Sequence, residues 1–266
     1  AQLMRARLRY DWYWTWEYCN WVLGNQGIHE MDKARWGLGK MTLPKSVQSV
    51  GGRFGYKDDG DTANTQIIDF DYGDSRLVFE VRGLSSESPF PGKKRPKSGP
   101  KPQNFVGNIW YGEDGYLVCP SYTGGVAYTK DGEIIKEFSG GGDHYGNFVA
   151  AIRADKQSVL NGDVLDGHLS SAMCHLGNIS YRLGGLEVFD DKALWFGNAD
   201  ADKALESAAK HLASHKVDVA AIKWGKGPRL TLDPKTERFV GSDAANKMLV
   251  REEYRKGFEL PDATKG

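Results

Sequence analysis

The sequence predicts an α+β fold: a largely antiparallel, open-faced sheet with helices on one face. Two observations carry it. Residues 46–54, 65–72 and 75–82, and then 106–111, 115–119, 125–129 and 133–138, alternate β-branched or aromatic residues with polar ones. The turns between them, Gly73-Asp74-Ser75, Glu113-Asp114-Gly115 and Lys130-Asp131-Gly132, have hairpin rather than crossover lengths.

The elements follow in order. An aromatic segment, Tyr10 to Tyr18, leads into helical spacing from Val22 to Leu38, with apolar residues at Ile28, Met31, Ala34 and Leu38. Gly37, Gly39 and Pro44 end it. The first strand group comes next. Ser85 to Gln103, rich in Pro, Lys, Ser and Gly, reads as a solvated surface excursion carrying Lys93, Lys94, Arg95, Lys97 and Lys101. After the second strand group, Asp143 is placed to cap a helix over 145–154. A longer helix spans 162–183, stopped by Gly184-Gly185. The composition shifts near residue 190, and 200–215 and 243–255 read as further helices. The expected division is a substrate-binding α+β unit over 1–190 and a helical extension over 191–266.

The 266 residues, 40% hydrophobic, support one sizeable core or a core plus an appendage. Lys+Arg and Asp+Glu both number 35, so neither a nucleic-acid groove nor a polybasic membrane patch is indicated. No apolar run approaches the roughly 20 residues that span a bilayer. Cys19, Cys119 and Cys174 lack a CxxC pairing and read as packed, reduced thiols. His168 and His175 share a helix face without a third ligand, so no metal site is expected; both read as structural, with Asn178 a hydrogen-bond partner. The start, Ala1-Gln2-Leu3-Met4, carries neither initiator Met nor signal core. The expectation is a piece of a longer chain, with cytoplasm and periplasm equally open.

The chemistry concentrates in Gly24-Asn25-Gln26-Gly27-Ile28-His29-Glu30-Met31-Asp32. On a helix, Asn25 and His29 share a face, with Asp32 near it. A histidine beside a polar partner can move a proton near neutral pH. The same spacing also fits a structural histidine, with Asp32 the ion-pair partner of Arg35. Trp12, Trp14 and Trp16 could pack against a sugar ring or fill the core. His144 could reach a ligand or simply pack beside the Asp143 cap. Cys174-His175 is no dyad, since helix neighbours point about 100° apart.

The run from Tyr10 to Gly39, YDWYWTWEYCNWVLGNQGIHEMDKARWGLG, resembles the C-terminal domain of the Gfo/Idh/MocA oxidoreductases. Ordered blocks continue the resemblance along nearly the whole chain: Ser49–Tyr56, Asn64–Tyr72, Phe79–Leu84, Gly107–Tyr116, Phe138–Phe148, Gly167–Leu183 and Leu230–Val240. It implies a dihydrodipicolinate-reductase-like α+β domain that works beside an N-terminal dinucleotide-binding domain. That partner domain would bring the glycine fingerprint, a catalytic lysine and NAD or NADP; no G-x-G-x-x-G of the right context stands in this chain. The family's D-x-x-x-H pair falls on Asn25 and His29. His29 would be general acid/base toward a sugar or cyclitol, with Trp21, Asp32 and His144 in the substrate shell. Asn25 replaces an acid, and Cys19-Asn20-Trp21-Val22 replaces a small, Gly- and Asp-containing run; an amide orients a hydroxyl but lends no charge. Homo-oligomers through strands at 65–82 and 106–118 are also implied. The chain alone would then lack its cofactor. Two other readings stay open: a cofactor-free carbohydrate-binding or oligomerisation module, and a relative of the NAD-dependent glycosidases.

Overall fold

The computed structural model describes residues 12–85, 106–251 and 254–260. Tyr10, Asp11 and the basic run from Lys93 to Lys101 fall outside that range. The chain opens with α1 (Trp21–Asn25) and α2 (Gly27–Gly37), then β1 (Ser46–Gly52), β2 (Thr65–Asp71) and β3 (Arg76–Arg82). A second strand group follows: β4 (Asn108–Tyr111), β5 (Gly115–Cys119), β6 (Gly124–Thr129) and β7 (Ile134–Ser139). Next come α3 (His144–Ala154), α4 (Val164–Arg182), β8 (Gly185–Val188) and α5 (Ala199–Ser214). The order closes with β9 (Lys223–Lys226), β10 (Leu230–Asp233), β11 (Arg238–Phe239) and α6 (Asp243–Lys247).

The fold is α+β, as its strand patterning requires. The larger sheet runs β11-β10-β1-β2-β3, and β9 joins β1 to β8. The smaller sheet is the meander β4-β5-β6-β7. All described pairings are antiparallel. The predicted strands fall within about two residues of their observed ends, and Gly73, at φ +91°, makes the β2–β3 turn that only glycine adopts without strain.

Alternation on β2 sends neighbouring residues to two cores. Ile68 and Phe70 meet Met173, Leu176 and Ile179 of α4. Ile67 meets Ala204, Leu205 and Ala208 of α5, with Trp224 beside them. Each Ile, Leu, Met or Phe among them contributes roughly 1.5–3 kcal/mol on burial. Helices therefore stand on both faces of the larger sheet, one more layer than the sequence suggested. β2 is buried along six of its seven residues, so it offers no subunit surface, against expectation.

Three further expectations are corrected. Residues 191–266 are not a helical extension: α5 packs on the sheet, and β9 and β10 pair directly with β1. Strands of four, four and two residues are too short to print a period. The helix expected over 243–255 stops at Lys247, because the Asn246 side chain turns back to bond both backbone groups of Phe239. The helix expected over 22–38 is jointed at Gln26, where His29 N bonds the Gln26 carbonyl, an i−3 bond.

The smaller sheet docks on α2 through β4. Asn108 Nδ2 donates to the Glu30 carbonyl at 2.9 Å and Trp110 Nε1 to the Ala34 carbonyl at 3.3 Å. Gly37 makes this possible, since a Cβ there would lie 2.1 Å from Trp110 Nε1. At its far edge every residue of β7 is exposed, and no residue of α3 is buried.

Candidate functional site

Where α1 meets α2, Asn25 and His29 are both exposed, one turn apart. Asn25 Nδ2 donates to the Tyr13 hydroxyl at 2.7 Å. Burial raises the Tyr13 pKa above its ordinary value, against the lowering effect of that bond, so it stays a neutral phenol. The His29 ring stands edge-on to Tyr122, centroids 5.6 Å apart. Among the described residues no hydrogen bond takes up either nitrogen of this ring.

Beneath this face lies a polar cluster that ties α2 to the β5–β6 loop. Gln26 Nε2 donates to Glu30 Oε2 at 3.0 Å and also to the Tyr122 hydroxyl. Lys33 Nζ is 2.9 Å from Glu30 Oε1, 3.4 Å from the Ser121 carbonyl and 5.0 Å from the Tyr122 ring centre. Glu30 is 5% exposed, so its charge is held by neighbours rather than water. Tyr122 thus reaches His29 from a loop that sequence patterning does not mark. The Cys119 thiol nearby is pushed up by burial, with Lys33 opposing.

The remaining candidates separate. Asp32 accepts from Ser170 Oγ at 2.6 Å and from Arg35 Nη2 at 3.3 Å, which makes it part of the α2–α4 joint. Trp21 is 3% exposed and packs on Trp14 at 4.6 Å, so it lies in the core rather than in the substrate shell. Its φ of +50° turns the chain into α1. Trp12 is exposed, while Trp14 and Trp16 are half-buried beneath Arg53 and Arg182 respectively. His144 is exposed at the start of α3, its ring tilted 37° against that of Tyr145 with centroids 4.1 Å apart; Asp143 caps that helix by accepting from Gly146 N at 2.8 Å. His168 pairs with Glu237 at 2.8 Å. Asn178 bonds Gln66 rather than a histidine. Burial drives the Cys174 thiol up to about 12, which leaves it inert as a nucleophile.

Among the hollows of the described surface, two lie against helices. One, of about 660 Å³, runs along α3; the other, of about 370 Å³, lies against α4. His29 and Asn25 line neither of them. No described helix is long and apolar enough to cross a membrane.

No protein-family model matches the chain, and no curated protein matches it. Among solved structures it is similar to the WlbA dehydrogenase from Bordetella pertussis in complex with NADH and UDP-GlcNAcA, at 18% identity and TM-score 0.40, over 64% of this chain and 46% of that one. It is similar also to the WlbA dehydrogenase from Chromobacterium violaceum, at 16% identity and TM-score 0.40, over 67% and 49%. A third is an oxidoreductase from Bacillus cereus, at 16% identity and TM-score 0.36, over 59% and 47%. The three are oxidoreductases. The likeness is partial, and the chain spans about half the length of these solved proteins.

Proposed function

We propose that this chain is the substrate-facing half of an NAD- or NADP-dependent oxidoreductase acting on a sugar or cyclitol. His29 is its general acid/base and Asn25 the group that orients the reacting hydroxyl. The observation that carries this reading is the open face itself: an exposed imidazole with free nitrogens, one helical turn from an exposed amide, walled by Tyr13 and Tyr122. Such a face can bind a hydroxyl or carbonyl oxygen and take or return its proton. The sequence blocks around His29 favour the same assignment.

A dinucleotide does not fit the described residues. Their sheets are antiparallel, and the glycine-rich turn that ends a strand and starts a helix, Gly140–Gly142, is followed by Asp143, whose carboxylate already occupies the helix N-terminus. The cofactor therefore belongs to another part of the enzyme, and this chain contributes only binding and proton transfer. That mismatch favours a second reading, a cofactor-free carbohydrate-binding module. Self-association through the β4–β7 sheet is part of the proposal, since β7 and α3 expose Ile134, Ile135, Phe138 and Phe148.

Histidine-selective NMR titration with myo-inositol and D-glucose tests the assignment. A saturable shift of the His29 resonance, lost in Asn25→Ala, is expected, together with no binding of NAD. If neither polyol moves His29, the enzymatic reading fails. If NAD binds the chain tightly, the division of labour fails.

A further inference from the structure

Gln26 and Lys33 join the same two groups, Glu30 on α2 and Tyr122 on the β5–β6 loop, so four side chains close a circuit beside His29. The Glu30 carboxylate can only accept, which turns the Gln26 NH₂ toward it at 3.0 Å. The same NH₂ donates to the Tyr122 hydroxyl, so both of its hydrogens are spent. The Lys33 ammonium, 2.9 Å from Glu30 Oε1, stands over the Tyr122 ring at 5.0 Å from its centre. Lys33 also donates to the Ser121 carbonyl at 3.4 Å, so loop and helix are held as one surface.

The polarity of the circuit leaves one donor over. An NH₂ has no lone pair to offer a phenol, so the Tyr122 oxygen is the acceptor of that pair, and its own O–H proton plays no part in it. Among the described residues no acceptor takes this proton. Tyr122 is 59% exposed, and its ring stands edge-on to the exposed His29 imidazole, centroids 5.6 Å apart. The face thus carries, next to a group that can move a proton, a second group that can donate one hydrogen bond. A polyol matches that pairing, because it bears oxygens on adjacent carbons and each of them can accept.

We propose that Tyr122 is a ligand-binding residue of the His29 face: its O–H donates to the oxygen on the carbon next to the one that His29 serves. The site then selects a vicinal diol over a compound whose hydroxyls stand apart. This rests on the role of His29 given above, and it narrows the sugar or cyclitol to one that presents two adjacent hydroxyls.

Titration of the whole chain with cis-1,2-cyclohexanediol, and with cis-1,4-cyclohexanediol as the isomer whose hydroxyls are not adjacent, tests this. The readouts are the His29 imidazole and Tyr122 ring resonances. The 1,2-diol is expected to shift both and to bind about fivefold more tightly than its isomer, the size of one neutral hydrogen bond. Tyr122→Phe keeps the ring beside His29 and beneath Lys33 and removes only the hydroxyl; it should bring the two diols to equal affinity. A purely structural role would weaken both alike and leave their ratio unchanged. Equal or absent binding of the two diols by the unaltered chain, or a ratio that survives Tyr122→Phe, would overturn the proposal. A shift of His29 by myo-inositol in the same sample then shows that the role of His29 stands without it. If myo-inositol leaves His29 unmoved, that role fails and the one given to Tyr122 fails with it.

Discussion

Replacing Arg35 with alanine should unlock α2 from α4. Its side chain is fully buried, with Nη2 2.6 Å from Asp166 Oδ1 and 3.3 Å from Asp32 Oδ1. Nη1 donates to the Lys40 carbonyl at 2.8 Å, and Nε to Ser170 Oγ at 3.3 Å. Breaking a buried ion pair from one side costs about 3–5 kcal/mol, chiefly through the charge left without a partner. Here the two carboxylates keep 19% and 31% of their surface, so water recovers part of the loss. About 3 kcal/mol is the expected cost, near the low end of that range. For a chain of this size that lowers Tm by roughly 6–12 °C. Urea unfolding followed by tryptophan fluorescence gives the number directly, with an unchanged m-value as the sign that only stability moved. Arg35→Met should be as damaging, whereas Arg35→Met combined with Asp32→Asn and Asp166→Asn should recover much of the loss. A deficit below about 1 kcal/mol, the worth of a surface pair, would refute the idea that this guanidinium locks the two helices.

Other outcomes follow from single positions. Lys216 holds φ +63° directly after α5, where Lys216 N bonds the Ala213 carbonyl and Val217 N the Leu212 carbonyl; Lys216→Gly should stabilise by about 1 kcal/mol in thermal melts, and a loss would deny the strain. Gly51→Ala places a Cβ 2.3 Å from the Thr65 carbonyl in the β1–β2 ladder and should cost about 2 kcal/mol, while Gly141→Ala, with open space around it, stays within about 0.5 kcal/mol. Burial, helped by the nearby Arg82 and His215, depresses His211 below its ordinary 6.5, so the unfolded chain takes up the proton first. Stability is then flat above about pH 6.5, declines as pH falls from there to the folded-state value, and levels below it. His211→Gln should remove that slope; an identical pH curve would count against a crowded imidazole.

Much of the larger sheet was legible because β1 to β3 are seven residues each and joined in order, so alternation has room to repeat. β9 to β11 were not legible: they are short, and their partner β1 lies far back in the chain. That Asn25 and His29 lie about one turn apart could be read because i, i+4 spacing is a local property. Tyr122 could not, since its contact with Gln26 spans 96 positions and sits on a loop with no periodicity. Trp21 reads as a ligand-facing aromatic until its left-handed backbone is known, and sequence gives no sign of a positive φ at a tryptophan. For Asp32 the sequence left two readings, a place in the substrate shell and an ion pair with Arg35; Ser170 and Asp166, which complete the observed joint, come from α4 and carry no local signal.

The placing of β1 between β2 and the late strands has a kinetic consequence. Ser46 is bonded by Arg229 across 183 positions, so one edge of β1 has no native neighbour until those intervening residues have been made. At about 5–20 residues per second, that interval is on the order of ten to forty seconds. For that long a nascent sheet carries a bare ladder of N–H and C=O groups, the template on which chains stick to one another. β9 and β10, made long after β1, are thus the strands that close its open edge, and truncations before residue 230 are expected to aggregate rather than to misbehave as soluble intermediates.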